Sequence, residues 1–167
     1  KVIGAFTAME TLDLQGNLIS SVPKEIGACV SLRRLVLTGN ILKTLPKAIG
    51  QLASLKTLLI SENGLKTLPA EIGNLTQLEH LDVSWNNLIA VPASIARITD
   101  TLKALNLQSN KLTTVPKEFG KLASLEFLNL ADNDIRDIPM ELGDLESLEE
   151  MDLSDNAGLT SLPESVL

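Results

Sequence analysis

The sequence is built on one unit that recurs about every 23 residues. Each unit contains a stretch of the form LxxLxLxxN, as in LRRLVLTGN and LKALNLQSN. A proline follows the asparagine after six or seven residues and introduces a short element typified by IGxL. A period of this length predicts a solenoid of stacked units. The asparagines are spaced by 23 residues, with one interval of 24: Asn17, Asn40, Asn63, Asn86, Asn110, Asn133 and Asn156.

The local chemistry of the unit supports the same prediction. The LxLx alternation predicts a short strand with its leucines on a buried face. An asparagine amide both donates and accepts hydrogen bonds, so we expect a buried asparagine ladder where the chain leaves each strand. Proline has a fixed φ and no N–H, which predicts an extended or loosely helical segment after the turn. Glycines such as Gly50 and Gly73 permit tight bends there.

The full unit, LxxLxLxxNxLxxLPxxIGxLxxL, resembles that of the leucine-rich repeat family, and the resemblance covers essentially the whole chain. It implies an α/β solenoid, a right-handed horseshoe with a concave parallel β-sheet and convex short helical, 3-10 or extended turns. Within the family, the unit is similar to the intracellular group of Ras-binding scaffolds, Scribble-like polarity proteins and Roco proteins. It is less similar to plant receptor ectodomains, whose repeats carry a Gly-x-Ile-Pro element missing here.

We interpret residues 1–167 as a single array. Repeats start near residues 9, 32, 55, 78, 102, 125 and 148, and residues 1–8 form the tail of a truncated unit. Both ends cut through a repeat and neither carries the polar cap typical of a solenoid, so we expect a piece of a longer array. Residues 95–102 and 156–159 each contain one extra residue, which predicts surface bulges that change the local curvature.

Composition excludes several classes of protein. Hydrophobic residues make up 44% of the chain and aromatic residues 2%, which predicts an aliphatic core. No apolar run approaches the roughly 18 residues of a membrane-spanning helix, so no membrane insertion is expected. The single cysteine, Cys29, rules out an internal disulfide framework and is predicted to be a buried thiol in a leucine position. The lack of paired cysteines favours a reducing, cytoplasmic location.

The net charge of −7 is unevenly distributed. Residues 125–167 carry twelve acidic residues and one basic residue, whereas residues 1–124 carry nine acidic and thirteen basic residues. Nucleic-acid binding usually requires a strongly basic face, so it is not expected. The acidic end instead favours a protein partner with a basic patch.

In leucine-rich repeats, the side chains that flank the strand leucines face the concave surface, and we place the candidate site there. Trp85, the only tryptophan, either anchors a partner or lies flat and shields neighbouring repeats. Val36, Leu59 and Phe127 predict an apolar patch on a solvated sheet. The full set of candidate partner-binding residues is Arg34, Val36, Leu59, His80, Asp82, Trp85, Phe127, Asp132, Glu150, Asp152 and Asp155.

Catalytic and metal chemistry find little support in the sequence. His80 has no second histidine or thiol with which to share a metal. Glu150, Asp152 and Asp155 suggest acid–base catalysis or Ca²⁺ binding, but on a flat sheet they favour either a landing site for a partner's Lys or Arg or a plain charged face. GxSxG, P-loop and GxGxxG motifs are absent. We therefore expect no enzyme, metal, cofactor or small-molecule substrate.

The sequence thus predicts a protein–protein interaction module or scaffold that binds a partner on its concave face. By resemblance to the intracellular group, partners would be small GTPases, phosphatases or cytoskeletal proteins. Two alternatives remain: a regulatory or targeting segment of a larger kinase, GTPase or phosphatase, or an extracellular recognition ectodomain. The second would make use of the glycosylation sequon at Asn74. Replacing Trp85 and Phe127 with alanine should weaken partner binding by more than about tenfold.

Overall fold

The computed structural model describes residues 2–166; Lys1 and Leu167, the two predicted cut ends of the array, lie outside the described residues. Strands β1–β7, one per repeat, are Thr11–Asp13, Arg34–Val36, Thr57–Leu59, His80–Asp82, Ala104–Asn106, Phe127–Asn129 and Glu150–Asp152. Short 3-10 segments alternate with them: Val2–Ala5, Lys24–Ala28, Lys47–Gln51, Ala70–Asn74, Ala93–Arg97, Lys117–Lys121, Met140–Asp144 and Glu164–Val166. The predicted solenoid is confirmed.

The seven strands form one parallel sheet in chain order. They pair in register, so that Leu35 lies beside Leu58 and Leu58 beside Leu81. These middle residues of the strands are buried, whereas their neighbours on each strand point to the opposite face. The core is aliphatic, as predicted, although Phe119 lies fully buried where most repeats have isoleucine. The register therefore turns each repeat position in the sequence into a row of side chains across the sheet.

A continuous asparagine ladder holds consecutive repeats together, as predicted. The Asn133 Nδ2 donates to the carbonyl oxygens of Leu107, Leu130 and Ala131 at 3.0, 3.0 and 3.1 Å. Its Oδ1 accepts from the Leu112 N–H at 3.0 Å. The same pattern recurs at the other interior asparagines. Each asparagine thus satisfies backbone groups of its own repeat and of the preceding one.

The 3-10 segments follow from the proline and the glycine of the repeat. Each proline is extended, as at Pro69 with φ −66° and ψ 142°, and its carbonyl accepts the N–H three residues later, as from Ile72 at 3.0 Å. The glycine permits close stacking of the next repeat. A Cβ built on Gly73 would lie 2.1 Å from the Ser94 carbonyl oxygen, and one on Gly120 would lie 2.1 Å from that of Glu141. These glycines are required for contact distance, since their φ angles are ordinary.

The extra residue in 95–102 is absorbed in the turn before β5. In a regular repeat the Leu125 N–H donates to the carbonyl of Leu122, three residues earlier. In the longer repeat the Leu102 N–H reaches four residues back, to Ile98, at 3.3 Å. Ala96 takes the glycine position in this repeat, and its 3-10 segment packs less closely on the next one than the pairs on either side. The predicted bulge is therefore a widened turn.

The thiol of Cys29 is buried, as predicted. Its Sγ donates to the carbonyl of Ile3 at 3.3 Å, and burial raises the thiol pKa. Cys29 therefore fills a leucine position in the core. Within residues 2–166, no helical segment is long and apolar enough to cross a membrane.

Candidate protein-binding face

The outward-facing residues of β1–β7 form two rows across the sheet. One row contains Arg34, His80 and Phe127, and the other contains Leu59 and Asp82, in the order that the strand register sets. Neighbouring strands lie about 4.8 Å apart, so side chains in adjacent repeats contact one another across each row. Residues far apart in the chain therefore act as one surface.

A hollow of about 390 Å³ opens in the middle of this surface. Five of the eleven predicted site residues border it, and they come from four of the strands between β2 and β6. The chain leaves this space unfilled and accessible from the open side of the sheet. The lining residues are Arg34, Thr57, Leu59, His80, Leu81, Asp82, Ala104, Asn106 and Phe127. We call this space the sheet hollow.

The structure corrects the prediction that Val36 is exposed on the apolar patch. Val36 is only 2% exposed. Its in-register neighbours are Asp13 and Leu59, and Arg34 precedes it on the same face, so a short β-branched side chain lies among longer ones. Leu59 remains partly accessible and lines the sheet hollow, whereas Val36 offers a partner almost no surface.

Trp85 lies outside the sheet hollow, on the turn after β4, and its side chain is 58% exposed. Its φ is 52°, in the left-handed region. Gly16 and Gly39 have the same conformation at the same repeat position, as do four other non-glycine residues. Hydrogen bonds to both neighbouring repeats hold the backbone there, including one from the Trp85 N–H to the Gln108 carbonyl at 2.9 Å. The glycines of this row are the sequence signal that we missed.

The acidic residues at the C-terminal end lie apart from the sheet hollow. Glu150, Asp132 and Asp155 are exposed. The Asp152 Oδ1 accepts hydrogen bonds from the backbone N–H and the hydroxyl of Ser154, at 2.9 and 2.7 Å, and these bonds lower the pKa of the Asp152 carboxyl. Among residues 2–166, no group of three or more His, Cys, Asp or Glu side chains is placed to hold a metal ion.

A row of ion pairs borders the sheet at the residue that precedes each strand, and sequence reasoning missed it. The hydrogen bond from the Lys56 Nζ lowers the pKa of the Glu79 carboxyl. Alternating charges at this repeat position would have been the signal. Surface pairs of this kind are worth little individually, but they neutralise the basic residues beside the face. The three pairs are Arg33–Glu10 at 3.8 Å, Lys56–Glu79, and Lys103–Glu126 at 3.4 Å.

Known sequence families match this repeat architecture. The family profile described as "Leucine-rich repeat region" matches residues 1–116, and one described as "Leucine Rich repeat" matches residues 121–138. The fold is thus that of a repeat solenoid with an open parallel sheet. The chain belongs to the leucine-rich repeat family. No curated relative matches it significantly.

Solved structures also match it. The LRR protein LIC12759 of Leptospira interrogans is 30% identical with a TM-score of 0.69, over 98% of this chain and 53% of that chain. The plant peptide hormone receptor RGFR1 in complex with RGF2 is 31% identical with a TM-score of 0.85, over 98% and 27%. The ectodomain of the receptor kinase GASSHO1/SCHENGEN3 from Arabidopsis thaliana, in complex with CASPARIAN STRIP INTEGRITY FACTOR 2, is 28% identical with a TM-score of 0.82, over 96% and 22%.

These matches have two consequences for the sequence prediction. The chain spans about half or less of the length of the structures it matches. The similar structures include plant receptor ectodomains, so the family is established and the intracellular subtype stays a prediction. Our judgement that the repeats are less similar to plant ectodomains does not extend to the fold, because those structures superpose closely.

Proposed function

We propose that the chain is a non-catalytic protein-binding module that recognises a protein or peptide partner on the open face of its sheet. The sheet hollow carries this proposal. Five side chains of differing chemistry border one space that the chain's own residues leave empty. Binding sites typically combine an apolar lining with a few placed polar groups, and Leu59 and Phe127 with Arg34, His80 and Asp82 make up such a set.

Trp85 gives the proposal independent support. Residues held in sparsely populated backbone regions often belong to functional sites, and a bulky residue with positive φ is unusual. Gly16 and Gly39 have this conformation without strain, so the fold itself does not require a tryptophan here. A large, 58% exposed ring in that position serves a partner better than it serves the core.

The proposal includes a location and a mode of action. We propose a cytoplasmic scaffold that acts by binding alone, because Cys29 is a buried thiol in a leucine position and the chain carries no known catalytic motif. Fractionation of the source organism, probed with an antibody against the chain, tests the location. Recovery in a secreted or cell-surface fraction would overturn that part of the proposal.

The test of binding is quantitative affinity capture with the wild-type chain and with a Trp85→Gly, Phe127→Ala variant. Glycine is chosen for position 85 because the backbone there has φ 52°, so the substitution relieves strain rather than adding it. We expect the affinity for captured partners to fall more than about tenfold. The free energy of unfolding should change by less than about 1 kcal/mol, because both side chains are accessible.

Two variants serve as controls. Glu62→Gly makes the same backbone change one repeat earlier, at φ 53°. Met140→Ala removes a large side chain, 66% exposed, from a 3-10 segment on the opposite side. Both should retain the partners. Equal capture by the double variant and the wild type would place the interface away from the open face and refute the proposal.

A second candidate is the ligand-recognising part of a larger receptor or enzyme outside the cytoplasm. It is favoured by the plant receptor structures, whose titles describe complexes with RGF2 and CASPARIAN STRIP INTEGRITY FACTOR 2. The sequon residue Asn74 is exposed on the opposite side from the sheet, so a glycan there would leave the open face free. Mass spectrometry of the native protein distinguishes the candidates: a glycan on Asn74 supports the receptor, and an unmodified Asn74 supports the scaffold.

A further inference from the structure

The sheet hollow contains a slot at its centre. Ala104 in β5 lies between His80 in β4 and Phe127 in β6, in strict register, and all three line the hollow. Two strand spacings separate the two ring-bearing residues by roughly 10 Å at the backbone. Stacked planar groups lie about 4.5–7 Å apart, so the gap above the Ala104 methyl group admits one planar group between the two rings.

A carboxylate lies at the side of this slot. Asp82 follows His80 on β4 and lines the same hollow. Its Oδ1 accepts hydrogen bonds from the backbone N–H and the hydroxyl of Ser84, at 3.0 and 2.7 Å. These bonds hold the carboxylate in place on the open face and leave Oδ2 without a partner within residues 2–166. Asn106, beside Asp82 in the next strand, adds an amide to the same wall.

The charge of the whole face selects a cationic occupant. Along the outward rows and turns of β1–β7, seven carboxylates accompany a single guanidinium, that of Arg34. Arg34 lies two strands from Asp82 on the far side of the hollow, so a cation is repelled there and attracted toward β4–β6. The carboxylates are Asp13, Glu62, Asp82, Asp132, Glu150, Asp152 and Asp155.

Arginine fits these features better than other side chains. An apolar group over Asp82 would desolvate a carboxylate without a partner, which is costly. Lysine would satisfy the charge but has no plane to stack between rings. A guanidinium is planar, stacks on aromatic faces and donates to a carboxylate in a forked geometry.

We propose that the slot above Ala104 binds an arginine side chain of the partner, stacked between His80 and Phe127 and paired with Asp82. The proposal rests on the proposed function, in that it names the partner's contact residue at the sheet hollow. Binding should weaken as salt is raised, because the pair is only partly buried.

The test uses capped tripeptides, acetyl-Ala-Arg-Ala-amide and its Lys, Phe and Leu versions, titrated into the full chain and followed by amide NMR. The arginine peptide is expected to shift the resonances of Asp82, Ala104 and Phe127. Its dissociation constant should be at least about tenfold lower than those of the other three peptides. Ala104→Leu, which fills the slot, should abolish these shifts, and Asp82→Asn should weaken binding about tenfold.

Two variants at equivalent repeat positions in β1 serve as controls. Thr11→Leu adds the bulk of Ala104→Leu outside the hollow. Asp13→Asn removes a carboxylate that, like Asp82, accepts the N–H two residues later, at 3.0 Å. Both should bind the arginine peptide as the wild type does. Unchanged binding by Ala104→Leu, equal binding of the Phe or Leu peptide, shifts confined to Asp132–Asp155, or no saturable shift at all would each overturn the inference.

The two proposals fail separately. If partner capture depends on Trp85 and Phe127 while the arginine peptide does not bind in the slot, only the arginine inference is wrong. If the peptide binds in the slot while partner capture ignores both residues, the slot exists and the proposed function of the face is wrong.

Discussion

Replacing Asn133 with alanine is expected to lower the free energy of unfolding by about 3 kcal/mol. The change removes four hydrogen bonds from a side chain that is 7% exposed. The carbonyls of Leu107 and Leu130 each keep a bond to a neighbouring ladder asparagine. The Leu112 N–H loses its only partner within residues 2–166, and an unsatisfied buried donor is the costliest part of the change. Urea unfolding followed by circular dichroism measures the loss.

Asn17→Ala is the matched control for this prediction. Asn17 is exposed and makes only two hydrogen bonds within its own repeat, to the carbonyls of Leu14 and Gln15 at 3.0 and 3.1 Å. Its replacement should cost less than about 1 kcal/mol. Similar losses for Asn17→Ala and Asn133→Ala would show that the ladder does not stabilise contacts between repeats.

The second large loss is expected for Gly73→Ala, at about 1–3 kcal/mol. The new Cβ would lie 2.1 Å from the carbonyl oxygen and 2.7 Å from the carbonyl carbon of Ser94. No rotamer change relieves a clash with backbone, so the 3-10 segment Ala93–Arg97 must move away from its neighbour. Thermal and urea unfolding of the variant measure this cost.

Gly64→Ala provides the comparison, because a Cβ there would first meet the flexible end of Lys43, at 2.7 Å. That side chain can move aside, so the change in stability should stay within about 0.5 kcal/mol. Equal stability of the Gly73→Ala variant and the wild type would mean that close stacking of the 3-10 segments is not what these glycines provide.

The fold was predictable because one period is written seven times. Strand, asparagine turn and proline segment each follow from local chemistry, and an error in one repeat would disagree with the other six. The dual hydrogen bonding of the amide predicted the ladder. The sequence did not indicate that a carbonyl such as that of Leu107 accepts from two successive asparagines, because that sharing depends on the distance between stacked repeats.

The candidate site was predictable only in part. The repeat positions placed Arg34, Leu59 and His80 on the open face, since strand alternation fixes the direction of each side chain. Accessibility was less certain, and Val36 is buried because its neighbours on other strands are longer. Ala104 drew no attention in the sequence, because the importance of a small residue lies in the rings beside it.

Backbone conformation was the other limit of sequence reasoning. Trp85 was identified by its size and rarity, whereas its positive φ follows from hydrogen bonds to both neighbouring repeats. The paired charges along Lys56 and Glu79 were likewise overlooked, because opposite charges 23 residues apart acquire meaning only once the repeats are stacked in register.

Hydroxyl-radical footprinting of the chain, alone and bound to a captured partner, tests most directly whether the open face is the interface. Phe127 borders the sheet hollow, Trp85 is 58% exposed beside it, and Met140 is 66% exposed on the opposite side. If the partner binds the open face, oxidation of Phe127 and Trp85 falls on binding while that of Met140 is unchanged. Protection of Met140 with continued oxidation of Phe127 and Trp85 would contradict the proposed function.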